Sequence, residues 1–286
     1  TATTNAHLVI RPNQLLPGNS YTFNLRAEDS NGEANVVTKV IVNQAPFSTS
    51  VIPFYVTPTS GRVLETKFEF RCVGWTDDPE DLPLIYEFRA QVPGKKIQII
   101  SFGVPRDSAV AFLPAGNASD NGMPDQVDAT ALVFDSLGAS VSRTTNLTVR
   151  SAELGSEEEQ MEYLQNQSAA LLKEALDKGD KQAAMQAVTA ALGVLDGSPI
   201  STRRRLLGMH ESEQNNTGRQ QFRAEMLSNV RTAAGGTGGD PGALAQQAFA
   251  ASSLTTSAEE MNAESADGAL AFLEEMAENT KTSAAG

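Results

Sequence analysis

Residues 59–88, TSGRVLETKFEFRCVGWTDDPEDLPLIYEF, hold the single cysteine and the single tryptophan of the chain inside an alternating pattern. Phe68, Phe70 and Cys72 alternate with Lys67, Glu69 and Arg71, the period of a strand with one buried face. Trp75 follows. Asp77, Asp78, Pro79 and Pro83 then break the chain into a turn, and Leu84–Phe88 reads as the returning strand of a hairpin about the tryptophan. Such a segment points to a β-sandwich of the extracellular kind.

Strand signals continue on both sides. In residues 15–44, Tyr21, Phe23, Leu25 and Ala27 line one face and Ser30-Asn31-Gly32 forms a hairpin turn, so residues 1–44 read as the last strands of a sandwich module. A second module spans 45–150. Its further strands are predicted at Lys96–Val104, Ala109–Leu113, Val127–Asp135 and Val141–Val149, between Gly, Pro, Asn and Asp clusters. Two inward faces about 10 Å apart would enclose Trp75 and the phenylalanines, each large side chain contributing about 1.5–3 kcal/mol on burial.

After Arg150 the composition shifts to Ala, Glu, Gln, Leu and Met, and residues 151–286 read as an all-α region. Ser156 and Glu159 make a capping box. Met161, Leu164, Leu171, Leu172 and Leu176 fall on one helical stripe. Gly179 ends that helix, Asp180 caps the next, and Ala184, Val188, Leu192 and Leu195 form its stripe up to the stop at Gly197-Ser198-Pro199, giving an antiparallel helical hairpin. Gln220–Val230 reads as a third helix, 233–242 as a Gly-rich linker, and 243–278 as alanine-rich helices. Their apolar faces are thin, so this region should pack against something else.

Composition excludes several functions. The 286 residues carry a formal charge of −13, which opposes binding to nucleic acid or anionic membranes. Two histidines and one cysteine leave few groups for catalysis or metal binding. No apolar run reaches the roughly 18 residues of a membrane span, and TATTNAHLVIRP is not a signal peptide. The chain reads as an internal piece of a larger protein, joined to a membrane only through other parts of that parent.

Pro58, Gly61, Thr66, Phe68, Cys72, Trp75, Asp77, Pro83, Leu84, Tyr86 and Phe88, in that order, resemble the REJ ("receptor for egg jelly") module of large polycystin-like cell-surface proteins. The Leu-x-Pro-Gly-x-x-Tyr stretch before it is similar to immunoglobulin-like, fibronectin-III-like and PKD-like sandwich units. The helices after Arg150 resemble the helical subdomain that precedes an autoproteolysis-inducing (GAIN) domain. This resemblance implies a non-catalytic segment at the cell surface serving adhesion, assembly or force transmission. It also implies partners among surface proteins, including a polycystin-type cation-channel subunit, at a ciliary, flagellar or gamete membrane. The alternative is a spacer in an extracellular filament such as a flagellar appendage or cell wall.

Candidate sites follow from both readings. Asn117, Asn146, Asn166 and Asn215 stand in N-x-S/T sequons and are candidate glycosylation sites in a secreted protein. Cys72 reads as a small buried hydrophobe, yet an odd cysteine can also pair with an outside segment or a partner chain. Asp77, Asp78, Glu80 and Asp81 have the charge for calcium but not EF-hand spacing; a turn in which the aspartates bond their own backbone is the simpler account, and no metal ligand is assigned. Glu157-Glu158-Glu159 fits a helix N-terminus. His210-Glu211-Ser212 lacks the bracing residues of an autoproteolytic site, and Arg203-Arg204-Arg205 reads as a solvated helix start or linker, with a protease-sensitive basic loop as the alternative. Tyr55, Phe54 and Phe102 are contact aromatics if exposed, core residues otherwise. No catalytic residue and no cofactor is expected, since no carboxylate pair is marked as a glycosidase would need.

Overall fold

The computed structural model describes residues 7–116, 125–152, 156–197, 213–234, 241–255, 261 and 263–284. The chain opens with an antiparallel hairpin of β1 (Ser20–Asp29) and β2 (Gly32–Ile41). Asp29 sets the turn, its Oδ1 accepting the Asn31 and Gly32 N–H groups at 2.8 and 3.0 Å. Tyr21 faces Val40, Phe23 faces Thr38, Leu25 faces Val36 and Ala27 faces Ala34, so one face is apolar as the alternation predicts. That face is largely open to solvent.

A sandwich follows. Strands β4 (Phe54–Thr57), β6 (Phe68–Cys72) and β10 (Ser108–Ala111) form a three-stranded sheet in the order β10-β6-β4. Strands β5 (Ser60–Arg62), β8 (Ile85–Gln91), β9 (Ile97–Val104), β11 (Gln126–Phe134) and β12 (Ser140–Arg150) form a second sheet in the order β5-β12-β11-β8-β9. Its pairs are antiparallel except β12 with β5. Short β3 (Phe47–Ser48) and β7 (Trp75–Thr76) pair at the margin.

The expected hairpin about Trp75 is not formed. β6 and β8 lie in different sheets, and Phe70 and Phe88 meet across the interior with ring centroids 5.9 Å apart. Alternation reveals which side of a strand is buried but not which sheet receives it, and the residues from Gly74 to Pro83 carry the chain between sheets. Nor is Trp75 enclosed with the phenylalanines. It is half-buried at the rim, donating from Nε1 to the Pro53 carbonyl at 2.8 Å with the Arg143 guanidinium 5.8 Å from its ring. Phe54, Phe68, Phe70 and Phe88 fill the centre instead.

Five helices complete the described residues: α1 (Glu157–Asp177), α2 (Lys181–Gly197), α3 (Glu213–Ala234), α4 (Pro241–Leu254) and α5 (Ala263–Ala284). The Glu159 N–H donates to Ser156 Oγ at 3.2 Å, and the Ala183 N–H to Asp180 Oδ1 at 2.9 Å, so both expected caps are present. The α1 stripe ends sooner than expected: Leu176 is exposed and Ala175 takes the buried place. α3 is longer than the Gln220–Val230 read from sequence, because Phe222, Met226, Leu227 and Val230 anchor it against its neighbours.

The helices pack on the sandwich. α2 lies in the middle, with Ala184 through Leu192 all buried, and Gly193 lets it approach Pro114, whose Cβ would be 2.7 Å from any Cβ added there. Edge strand β9 is covered by α2 and α4. The Ile100 carbonyl accepts from the Nε2 atoms of Gln182, Gln186 and Gln246 at 2.8, 3.5 and 2.5 Å. Sheet and helix side chains thus join one continuous apolar core.

Candidate functional site

Among the described residues, three carboxylates gather at one corner of the sandwich, where the crossover from β7 to β8 meets the β11–β12 turn. Pro79 begins a single 3-10 turn, Pro79–Asp81, closed by the Asp81 N–H donating to the Asp78 carbonyl at 3.0 Å. This turn brings the carboxylates of Asp77, Asp78 and Asp81 together, one oxygen of each lying within 4.8 Å of the others. Asp77 is 8 % exposed and Asp81 6 %, while Asp78 faces solvent.

Asp135 braces the corner from the other hairpin. Its Oδ1 accepts the Leu137 and Ala139 N–H groups, each at 2.9 Å, and the adjacent Ser136 N–H donates to the Asp81 carbonyl at 2.9 Å. Asn43, just beyond β2, donates from Nδ2 to Asp135 Oδ2 at 2.6 Å. The expected self-bonded turn is there, the Asp78 N–H donating to Asp77 Oδ1 at 3.0 Å. Two oxygens are left over: Asp77 Oδ2 and Asn43 Oδ1 are closed from solvent without a hydrogen-bond partner.

None of these four aspartates is in an ion pair among the described residues. Burial pushes the Asp77 carboxyl above the usual carboxylate range; the Asp78 N–H opposes this, while the charges of Asp135 and Asp78 add to it. Burial likewise raises Asp81, with Asp77, Asp135, Asp78 and Glu80 acting in the same direction. Glu80 itself is exposed and outside the converging set. The sequence marks the aspartates of the crossover but carries no sign that Asp135 and Asn43 join them.

The remaining candidates are scattered. Cys72 is 2 % exposed and free, its thiol pushed up to about 12 by burial and the charge of Asp107. Asn146 is exposed on β12 opposite Asp128. Asn166 is exposed on α1, yet the Ser168 hydroxyl of its sequon is buried and donates to the Leu164 carbonyl at 2.6 Å. Asn215 lies within α3. Asn117, Arg203–Arg205 and His210-Glu211-Ser212 fall outside the described residues. Tyr55 and Phe102 are partly exposed, whereas Phe54 is core. Among the described residues no helix is long and apolar enough to cross a membrane.

The described residues thus form a β-sandwich with a helical layer against one edge. Comparison with known proteins gives the family: the REJ domain model matches residues 1–190, and the chain belongs to the REJ domain family. The match ends within α2, so α3 to α5 lie beyond it. REJ domains are a non-catalytic, extracellular family.

No curated protein matches the chain. Among solved structures, it is similar to a carbohydrate-binding module described as belonging to the β-sandwich superfamily, at 20% identity and TM-score 0.27, covering 38% of this chain and 36% of that one. The PKD1 domain of Vibrio anguillarum Epp gives 16% identity and TM-score 0.23, covering 38% of this chain and 98% of that one. A β-1,2-glucanase from Parabacteroides distasonis gives 11% identity and TM-score 0.22, covering 88% and 38%. At such scores none of the three bears on what this chain does.

Proposed function

We propose that the chain is a non-catalytic segment of a polycystin-like cell-surface protein, serving adhesion, assembly or force transmission through protein contacts. The observation that carries this reading, beside REJ membership, is the β1–β2 hairpin. Leu25 is 64 % and Val36 63 % exposed, and with Val40, Phe23 and Tyr21 they make a continuous apolar face on one side of a ladder of ten residue pairs. A two-stranded ribbon is marginal alone, and an open apolar face of this kind marks a protein contact. Its partner surface is another sheet of the parent protein or of a neighbouring cell-surface protein. A polycystin-type channel subunit and a ciliary or gamete surface are the finer form of the proposal, with α1 to α5 acting as the helical subdomain before a GAIN-type domain.

Intact cells carrying the parent protein test the location. A membrane-impermeant amine reagent should label Lys39 and Lys67, both exposed, without permeabilisation. Labelling only after permeabilisation overturns the extracellular reading. A photo-crosslinker at Val36 should capture a β-rich extracellular segment; an absence of any crosslink at Val36, with controls elsewhere positive, overturns the contact role of the hairpin.

A further inference from the structure

We propose that Asp77, Asp78 and Asp81 bind a calcium ion at the corner where the chain leaving β2 meets the sandwich. The proposal stands on geometry and does not depend on REJ membership.

Two ligands of one calcium ion, each about 2.3–2.6 Å from it, are at most about 5 Å apart. The three carboxylates offer oxygens within 4.8 Å of one another. The donors are all hard oxygens, which suits calcium rather than the metals that favour nitrogen or sulfur. Exposed Asp78 leaves an opening through which water can complete the six to eight ligands calcium takes.

The second, separate observation is what these groups lack. Asp77 Oδ2 is buried and has no donor, and the side chain of Asp81, 6 % exposed, receives no hydrogen bond among the described residues. A carboxylate oxygen closed from solvent without a donor or cation, as Asp77 Oδ2 is, is unfavourable, so native interiors pair such atoms or place them on a metal. Asn43 Oδ1 is a further buried, unpartnered oxygen, on a side chain tied to the same corner through Asp135. A cation here would satisfy Asp77 Oδ2, which the protein leaves unsatisfied.

The test uses the full chain, freed of metal by a chelator and shown folded by circular dichroism. Calorimetric titration with calcium chloride should give one site, with a dissociation constant of about 0.1–1 mM, the range of extracellular calcium modules. Terbium(III) should bind competitively and luminesce on excitation of Trp75, two residues from Asp77. Asp78→Asn, at an exposed position, should weaken calcium at least about tenfold, whereas Glu80→Gln should leave it within about twofold. Asp77→Asn and Asp81→Asn should raise the melting temperature of the calcium-free protein, by removing buried like charge, and abolish its rise with calcium. No heat and no Trp75-sensitised luminescence on the folded wild-type chain, or Asp78→Asn binding as well as wild type, overturns the proposal. Magnesium binding as tight as calcium overturns the assignment of the ion. Should either buried variant fail to fold, the wild-type and Asp78→Asn titrations decide.

Discussion

Two single side chains give sharp tests of how far the sandwich shields its interior. Cys72 lies in β6 opposite Phe54 of β4, and its thiolate is suppressed by burial first and by Asp107 second. With its pKa at about 12, a maleimide at pH 8 should leave the native thiol unmodified and label it within minutes in denaturant. Labelling of the native protein, or a mixed disulfide isolated from it, would show the strand to be open to solvent. The Tyr163 hydroxyl of α1 donates to Glu65 Oε1 at 3.0 Å, with the Val63 carbonyl 3.2 Å away as the competing acceptor, binding the helix to the loop before β6. Burial, then the Glu65 bond and charge, raise its pKa from 10.0 to about 12, with Arg62 opposing. A raised pKa in an acid means that the neutral form is favoured by folding. The contribution is therefore whole below 10.0, begins to fail as pH passes that value and is gone beyond about 12. Phenolate absorbance should appear about two pH units later for this tyrosine than for a free one, and Tyr163→Phe should cost about 1 kcal/mol at neutral pH while removing the late-titrating component.

Helices and strands make their own predictions. Replacing a helical glycine by alanine gains about 1 kcal/mol from propensity, and the surroundings decide whether that gain survives. At Gly193 the new Cβ would stand 2.7 Å from Pro114 Cβ, a ring atom that cannot swing aside, and overpacking of this kind costs about 1–3 kcal/mol. At Gly218 of α3 nothing lies within 4 Å. Gly193→Ala should therefore destabilise and Gly218→Ala stabilise, a difference in sign that chemical denaturation of the two variants reads directly. Much at this scale is legible from sequence, because strand alternation and helix caps are local: β8 to β12 and the Ser156 and Asp180 caps fall where the pattern puts them. Pairing is not local. Phe68-Phe70-Cys72 announces a buried face, but the choice of β4 and β10 as neighbours over β8 depends on where the crossover runs. Glutamines at 182, 186 and 246 read as ordinary polar positions, and only the fold reveals that they converge on one carbonyl. The acidic corner was half visible for the same reason, its crossover aspartates adjacent in sequence and Asp135 and Asn43 remote.

The molecule as a whole divides by stability rather than by secondary structure. Apolar side chains of the sandwich and of α1 to α5 belong to one core, and the exposed edge of β9 is capped by helices in place of another strand. The hairpin contributes almost nothing to that core. Hydrogen exchange should show the β1–β2 amides opening orders of magnitude faster than those of β11 and α2, which should exchange together as a cooperative unit. Equal protection across all three would mean that the hairpin is buried in an assembly even in the isolated chain. Substituting Gln182, Gln186 and Gln246 together by alanine should raise exchange in β9 and α4 selectively, since each lost bond to Ile100 costs about 0.5–1.5 kcal/mol. Ten residues of extended ribbon reach about 33 Å from their base. The hairpin is therefore a lever whose fulcrum is the Asn43–Asp135 bond. A modest pull at its Ser30-Asn31 tip delivers a large torque to the corner that gathers three carboxylates, so tension on a bound partner would be felt first there, at the root of the ribbon, and only afterwards in the sheets.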